Sequence, residues 1–287
     1  MSNPVFNRIE QESRRGYAGF GDSRSSSSYG PTGLQDRPGQ APMNTGRLDD
    51  IYNSPSAGPV QTGRVTYDDV FMKSGLLFGL MLVSAGATWA ASMVLGLGIA
   101  SLAMLAGIFV TLGLGLFIAF KKTISPALIL TFAVFEGFMV GGISTVFAAR
   151  WDGIVTTAIV ATLSVFAAMF LGWKTNIVRV TDKSRRIFGM AIFGYLIFAL
   201  VNLGFSMFGA NQGWGIFGQG SMMGILVSVF AVGLASYSLA IDFDSITRAV
   251  RAGAPEKYSW LLAHGLLVTV VWLYLEILRL LAHFQNN

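Results

Sequence analysis

The sequence predicts an all-α integral membrane protein with seven transmembrane helices. Three observations carry that prediction. Of the 287 residues, 53% are hydrophobic and only 12% are charged, against roughly 25% charged in soluble domains. From Lys73 onward the apolar residues fall into runs of about 20, the length of helix that crosses a bilayer. Basic residues are concentrated after every second run, the asymmetry that orients a chain in a membrane.

Residues 1 to 66 differ in kind. They are rich in Gly, Ser, Pro and Gln, hold few aliphatics and show no periodicity. Such a stretch buries too little apolar surface to offset its ordering entropy, so a disordered cytoplasmic tail is expected there. The transmembrane domain then occupies 67–287, with a short helix around VTYDDVFMKSG leading into the first span. The first apolar run begins only after residue 70, so no cleavable signal peptide is expected.

The predicted spans are 74–95, 97–120, 126–149, 154–173, 186–208, 220–245 and 262–284. The second is apolar throughout and stops at Lys121-Lys122, and the third opens at Pro126, a favoured first-turn residue. Glycines at 141/142 and in the pairs 96/98 and 113/115 read as close-packing positions between membrane helices. After spans 2, 4 and 6 come Lys121 and Lys122, then Lys174, Arg179, Lys183, Arg185 and Arg186, then Arg248, Arg251 and Lys257. After the odd-numbered spans there is at most the balanced pair Arg150 and Asp152. Positive connections stay in the cytoplasm, which puts the N-terminus inside and the end of the seventh helix outside.

The composition also excludes several functions. There are no cysteines, so disulfides, thiol nucleophiles and Cys metal sites are ruled out. His264 and His283 are the only histidines, and both read as interfacial rather than as ligands. The net charge of +5 comes without a basic stripe interleaved with aromatics, so no nucleic-acid partner is expected. No G-x-G-D-like element, Ser/His arrangement or HExxH accompanies the acids, so no enzyme is expected.

What remains is a set of acids in or beside apolar spans. Carboxylates at membrane depth are costly and mark functional sites by default. Glu136 lies near the middle of the third span; Asp242 and Asp244 lie late in the sixth; Glu276 lies inside the seventh. Asp242 and Asp244, two apart, point to different sides of a helix. Asp244 reads as a solvated residue with Arg248 as its i+4 partner, which leaves Asp242 for the interior. Glu276 has Trp272 at i−4, Arg279 at i+3 and His283 at i+7; a bland Glu276–Arg279 ion pair competes with a functional reading. In the functional reading Asp242 and Glu276 face each other. Two carboxyls in one low-dielectric site cannot easily both ionise, so the pair can hold a proton or bind a hard cation such as Ca²⁺ through its oxygens.

The last two spans resemble the Bax inhibitor-1 family, the transmembrane Bax inhibitor motif proteins, which include bacterial members. The resemblance rests on Leu239-Ala240-Ile241-Asp242 before a basic connection, with Ile246 following. It rests also on Leu273-Tyr274-Leu275-Glu276 with Leu278-Arg279-Leu280-Leu281 after it, and on Leu130-Thr131-Phe132-Ala133 through Glu136-Gly137 in the third span. It covers residues 70 to 284. The family likeness implies seven helices, a cell-membrane location and a pH-sensitive cation leak, with Ca²⁺ as permeant or transiently bound ion and no tightly held cofactor. It also implies a latch of two acids, carried here to Asp242 and Glu276, with Asp244 as fallback. Three departures stand out. The last-helix acid is Glu rather than Asp, the connection between spans 6 and 7 is long, and the second span carries no charge, so that Glu136 becomes the candidate for a gating role there. The alternative reading is a non-transporting regulator whose spans bind another membrane protein, such as a protease or stress factor.

Overall fold

The structure is a computed structural model that describes residues 63–208, 217 and 221–285. The expected disordered tail therefore lies almost wholly outside the described residues. Val65 to the C-terminus forms one compact unit. Among the described residues it contains seven helices: α1 Tyr67–Leu95, α2 Leu97–Phe120, α3 Pro126–Ala148, α4 Ile154–Lys174, α5 Asp182–Met207, α6 Met222–Arg251 and α7 Tyr258–Phe284. Each is long and apolar enough to cross a membrane.

Hydropathy locates these helices, and capping chemistry sets their ends. The expected lead-in helix and first span are one helix. It starts at Tyr67 because the Thr66 hydroxyl accepts from the Asp69 amide at 3.2 Å, and Asp68 and Asp69 sit in the positive first turn. Thr181 and Ser184 form a reciprocal capping box that starts α5 at Asp182 rather than at 186. The sixth helix runs on to Arg251, with Arg248 and Arg251 in its last turn, where cations suit the negative end of the helix dipole. Several basic residues predicted in connections are thus helix-end residues. Pro126 opens α3 as expected.

The glycines divide into two groups. Gly96 has φ 87°, a left-handed conformation that breaks α1 from α2. Gly98 and Gly113 meet nothing within 4 Å and are not packing positions, contrary to expectation. Gly141 and Gly142 are. A Cβ on Gly141 would lie 2.5 Å from the Ala85 carbonyl of α1, and one on Gly142 would lie 2.5 Å from the Ala100 carbonyl and 2.8 Å from the Met104 amide of α2. Helix α3 is therefore clamped between α1 and α2 at backbone contact distance, with Gly137 against Ser84 on the α1 side. Membrane helices gain their association from such packing, because lipid removes the hydrophobic drive between them. Gly142→Ala is expected to cost about 1–3 kcal/mol, because the obstacle is backbone. A thermal-unfolding scan in detergent checks this; Gly98→Ala, which meets open space, should be neutral or slightly stabilising.

Helix α7 is the axis of the bundle. It packs against α1, α3, α4 and α6, and 61% of its most apolar stretch is buried, against 11% in α2 and α5. At one end of the bundle the helix termini are joined by polar contacts. The Val65 amide donates to the Ala254 carbonyl at 2.8 Å, Lys73 Nζ donates to Ser259 Oγ at 2.6 Å and to Asp69 Oδ2 at 2.7 Å, and Arg185 meets Asp244. This is the face predicted to be cytoplasmic. An acid on α7 is thus central, and one on α6 lies beside it.

Candidate functional site

The site is built on the contact between α6 and α7. Glu276 is 7% exposed, on the buried side of α7. Its Oε1 accepts two hydrogen bonds: one from the Tyr195 hydroxyl of α5, the other from Trp272 Nε1 at 3.2 Å, one turn back on α7. The rings of Tyr195 and Trp272 lie 5.7 Å apart and form an aromatic wall beside the carboxyl. Its other oxygen, Oε2, is buried without a hydrogen-bond partner. Arg279 Nη1 stands 3.9 Å from Oε2, an ion pair without a hydrogen bond. The bland Glu276–Arg279 pair is therefore present but loose, and the firmer tie runs across to α5.

Asp242 lies on α6, half-buried, with Oδ2 enclosed and unpartnered. Its neighbour on α7 is Thr269, and Arg185 of α5 is close enough to act on its charge. Thr269 and Glu276 are seven residues apart, about 10 Å along a helix. No hydrogen bond or ion pair joins Asp242 to Glu276 among the described residues. The expected face-to-face pair becomes two acids on one helix interface, at different depths and with separate partners. The physical reason is reach: each carboxyl finds a donor on its own level before it could find the other.

Asp244 behaves as its i+4 spacing predicts. It accepts from Arg248 Nε at 2.7 Å, and it also takes Arg185 Nη2 at 2.5 Å, while Arg248 reaches Asp182 at 3.3 Å. This network fastens the start of α5 to the end of α6 at the basic face. Arg185→Gln should loosen that end by about 1 kcal/mol, the upper range for a partly exposed pair. Hydrogen exchange at amides 182–188 should then run several-fold faster.

Glu136 is 3% exposed within α3, and its Oε2 has no partner. The register of α3 on α7 is set by two contacts, the Phe132 ring on His264 at 4.4 Å and Ser144 to Tyr274 at 2.7 Å. Glu136, one turn beyond Phe132, thus falls near the Thr269 level of α7, in the same layer as Asp242. Both histidines lie toward the ends of α7, in its second and last turns, and are buried within the bundle, His264 at 8% and His283 at 1% exposed. His264 is enclosed by Phe132, and His283 lies over Gly224 at the start of α6, where an added Cβ would come within 2.8 Å of its ring. Among the described residues no three His, Asp or Glu side chains gather as metal ligands.

A seven-helix bundle with acids on its sixth and seventh helices can now be compared with known families. A family model described as Bax inhibitor 1 like matches residues 3–286. The chain belongs to the Bax inhibitor 1 like family. It is accordingly a multi-pass membrane protein. The match begins at residue 3, so the N-terminal segment, expected to fall outside the family likeness, lies within it. No curated protein and no solved structure matches the chain.

Within this family member, sequence reasoning missed Tyr195, Thr269 and the second role of Arg185. Tyr195 did leave a signal, because a phenol in the middle of an apolar span needs a hydrogen-bond partner. Arg185 was counted only toward orientation, and Thr269 is one of many hydroxyls that can bond to their own helix backbone.

Proposed function

We propose that this protein is a pH-sensitive cation leak pathway, with Ca²⁺ as the permeant ion and the acids of α6 and α7 as its gate. The observation that carries this reading is the setting of Glu276. Its carboxyl is buried on the central helix, tied to α5 by Tyr195, and has one oxygen without a hydrogen bond. Ionisable groups at such depth mark ion pathways. Membership of the Bax inhibitor 1 like family supports the same reading.

In the closed state Tyr195 and Trp272 hold Glu276, and Thr269 faces Asp242. Loss of a proton, or withdrawal of α5, exposes carboxyl oxygens along the α6–α7 seam, and hard cations take oxygen ligands. Helix α5 suits a moving part: Phe188 is its only buried residue, and side-chain ties from Arg185, Tyr195 and Ser184 join it to α6 and α7. Glu136 lies in the Asp242 layer and would add a third carboxyl to the polar path at that depth.

The test is Ca²⁺ entry into dye-loaded liposomes holding the purified protein. Flux should rise from acidic to mildly alkaline pH. Flux no greater than that of empty liposomes at every pH, with a stoichiometric membrane protein co-purifying, would overturn the leak and favour the non-transporting regulator.

A further inference from the structure

A cavity of about 430 Å³ lies away from the acid site, between α1 and α4. These two helices do not approach each other, and α3 and α7 form the floor of the gap between them. Its walls are apolar, with Phe78, Met81 and Trp89 on one side and Ile159 and Leu163 on the other. All four helices are long and apolar enough to span a bilayer, so the gap opens sideways into hydrocarbon. Its volume falls in the range of small-molecule sites, about 300–1,000 Å³.

The floor carries a polar feature. Ser144 Oγ and Tyr274 OH lie 2.7 Å apart, and both residues line the cavity. They are 5% and 8% exposed. Two hydroxyls sharing one hydrogen bond leave one O–H hydrogen over, and neither oxygen has another hydrogen bond among the described residues. A spare buried donor is costly to leave unmade. Water is a poor occupant, since it needs two to four polar partners: besides this pair the lining offers only the Thr162 hydroxyl, whose hydrogen is already given to the Ala158 carbonyl of its own helix at 2.7 Å. An apolar pocket with a single convergent donor suits a mostly hydrocarbon molecule that has one acceptor oxygen at its end.

We propose that this crevice binds a neutral lipid head-first from the bilayer, with a terminal hydroxyl or carbonyl oxygen on Ser144 and Tyr274 and the tail passing out between α1 and α4. The glycine at position 86 provides a clean test. It lines the cavity, and a Cβ built on it meets nothing within 4 Å, so a larger side chain there starts in open space at the crevice wall.

The full-length protein is placed in phosphatidylcholine vesicles with a photoreactive long-chain fatty alcohol. Labelled residues are then located by peptide mass spectrometry. The wild type should be labelled around 85–89 of α1 and 159–163 of α4. Labelling should fall at least tenfold in Gly86→Phe and several-fold in Ser144→Ala. It should be unchanged in Gly194→Phe, which adds the same ring at an open position on α5. Labelling spread evenly over every lipid-facing helix, or unaffected by Gly86→Phe, would overturn the site. A photoreactive phosphatidylcholine that labels the crevice as strongly as the alcohol, with Ser144→Ala inert, would overturn head-first binding and leave an ordinary boundary lipid.

Discussion

Tyr195→Phe should leak cation at acidic pH, where the wild type is closed. The phenol hydroxyl supplies the inter-helical donor to Glu276 Oε1, and Trp272 supplies the other from the same helix. Removing the hydroxyl leaves the ring and its packing on Trp272, 5.7 Å away, in place. In the closed state the carboxyl is protonated, so this is a neutral hydrogen bond, which contributes about 0.5–1.5 kcal/mol. If that bond exists only in the closed state, its loss shifts the closed-to-open ratio by a factor of about two to ten. Glu276→Gln gives the opposite result. Its amide oxygen still accepts from Tyr195 and Trp272, but the side chain cannot ionise, so flux should stay low and flat across pH. A double variant of Tyr195→Phe with Glu276→Gln separates hydrogen bonding from charge, because two groups in direct contact are not additive. Acid-pH flux in Tyr195→Phe equal to that of the wild type would remove the α5 tie from the gate.

Asp242→Asn should abolish the pH response and lower alkaline flux at least tenfold. Asparagine keeps the shape of the side chain and can still bond Thr269, so the fold should survive and thermal unfolding should be close to wild type. What is lost is the ability to present a negative oxygen from α6 to a passing cation. Asp244→Asn is the matched comparison two residues away. It weakens the Arg185 and Arg248 network but should leave the pH response of flux in place. If Asp242→Asn titrates like the wild type while Asp244→Asn does not, the two acids exchange roles and the path runs along the basic face.

The legibility of this site varied by residue. Glu276 could be read as important because a lone acid in GLLVTVVWLYLEILRLL is costly without a partner. Its i−4 and i+3 neighbours were visible too, since helical spacing alone places Trp272 and Arg279 beside it. Asp244 with Arg248 was legible for the same reason. The Tyr195 donor was not, because it comes from another helix 81 positions away in the chain. Nor was the separation of Asp242 from Glu276: helix phase says which side a residue faces, and it does not give the sliding register of one helix on another. The burial of His283 depended on Gly224, another long-range partner.

The sequence alone determined the class, the seven spans, the oriented basic connections and the short roster of acids. Each of these follows from the cost of putting polar atoms in hydrocarbon, and that cost is local to a residue and its near neighbours. Only the tertiary structure decided that α7 is the axis and that α3 is clamped by glycine contacts. The same is true of the tie from Glu276 to α5 and of the gap left between α1 and α4. Those outcomes depend on how far one helix slides and how closely it approaches the next, and backbone contacts such as Gly142 on Ala100 set both.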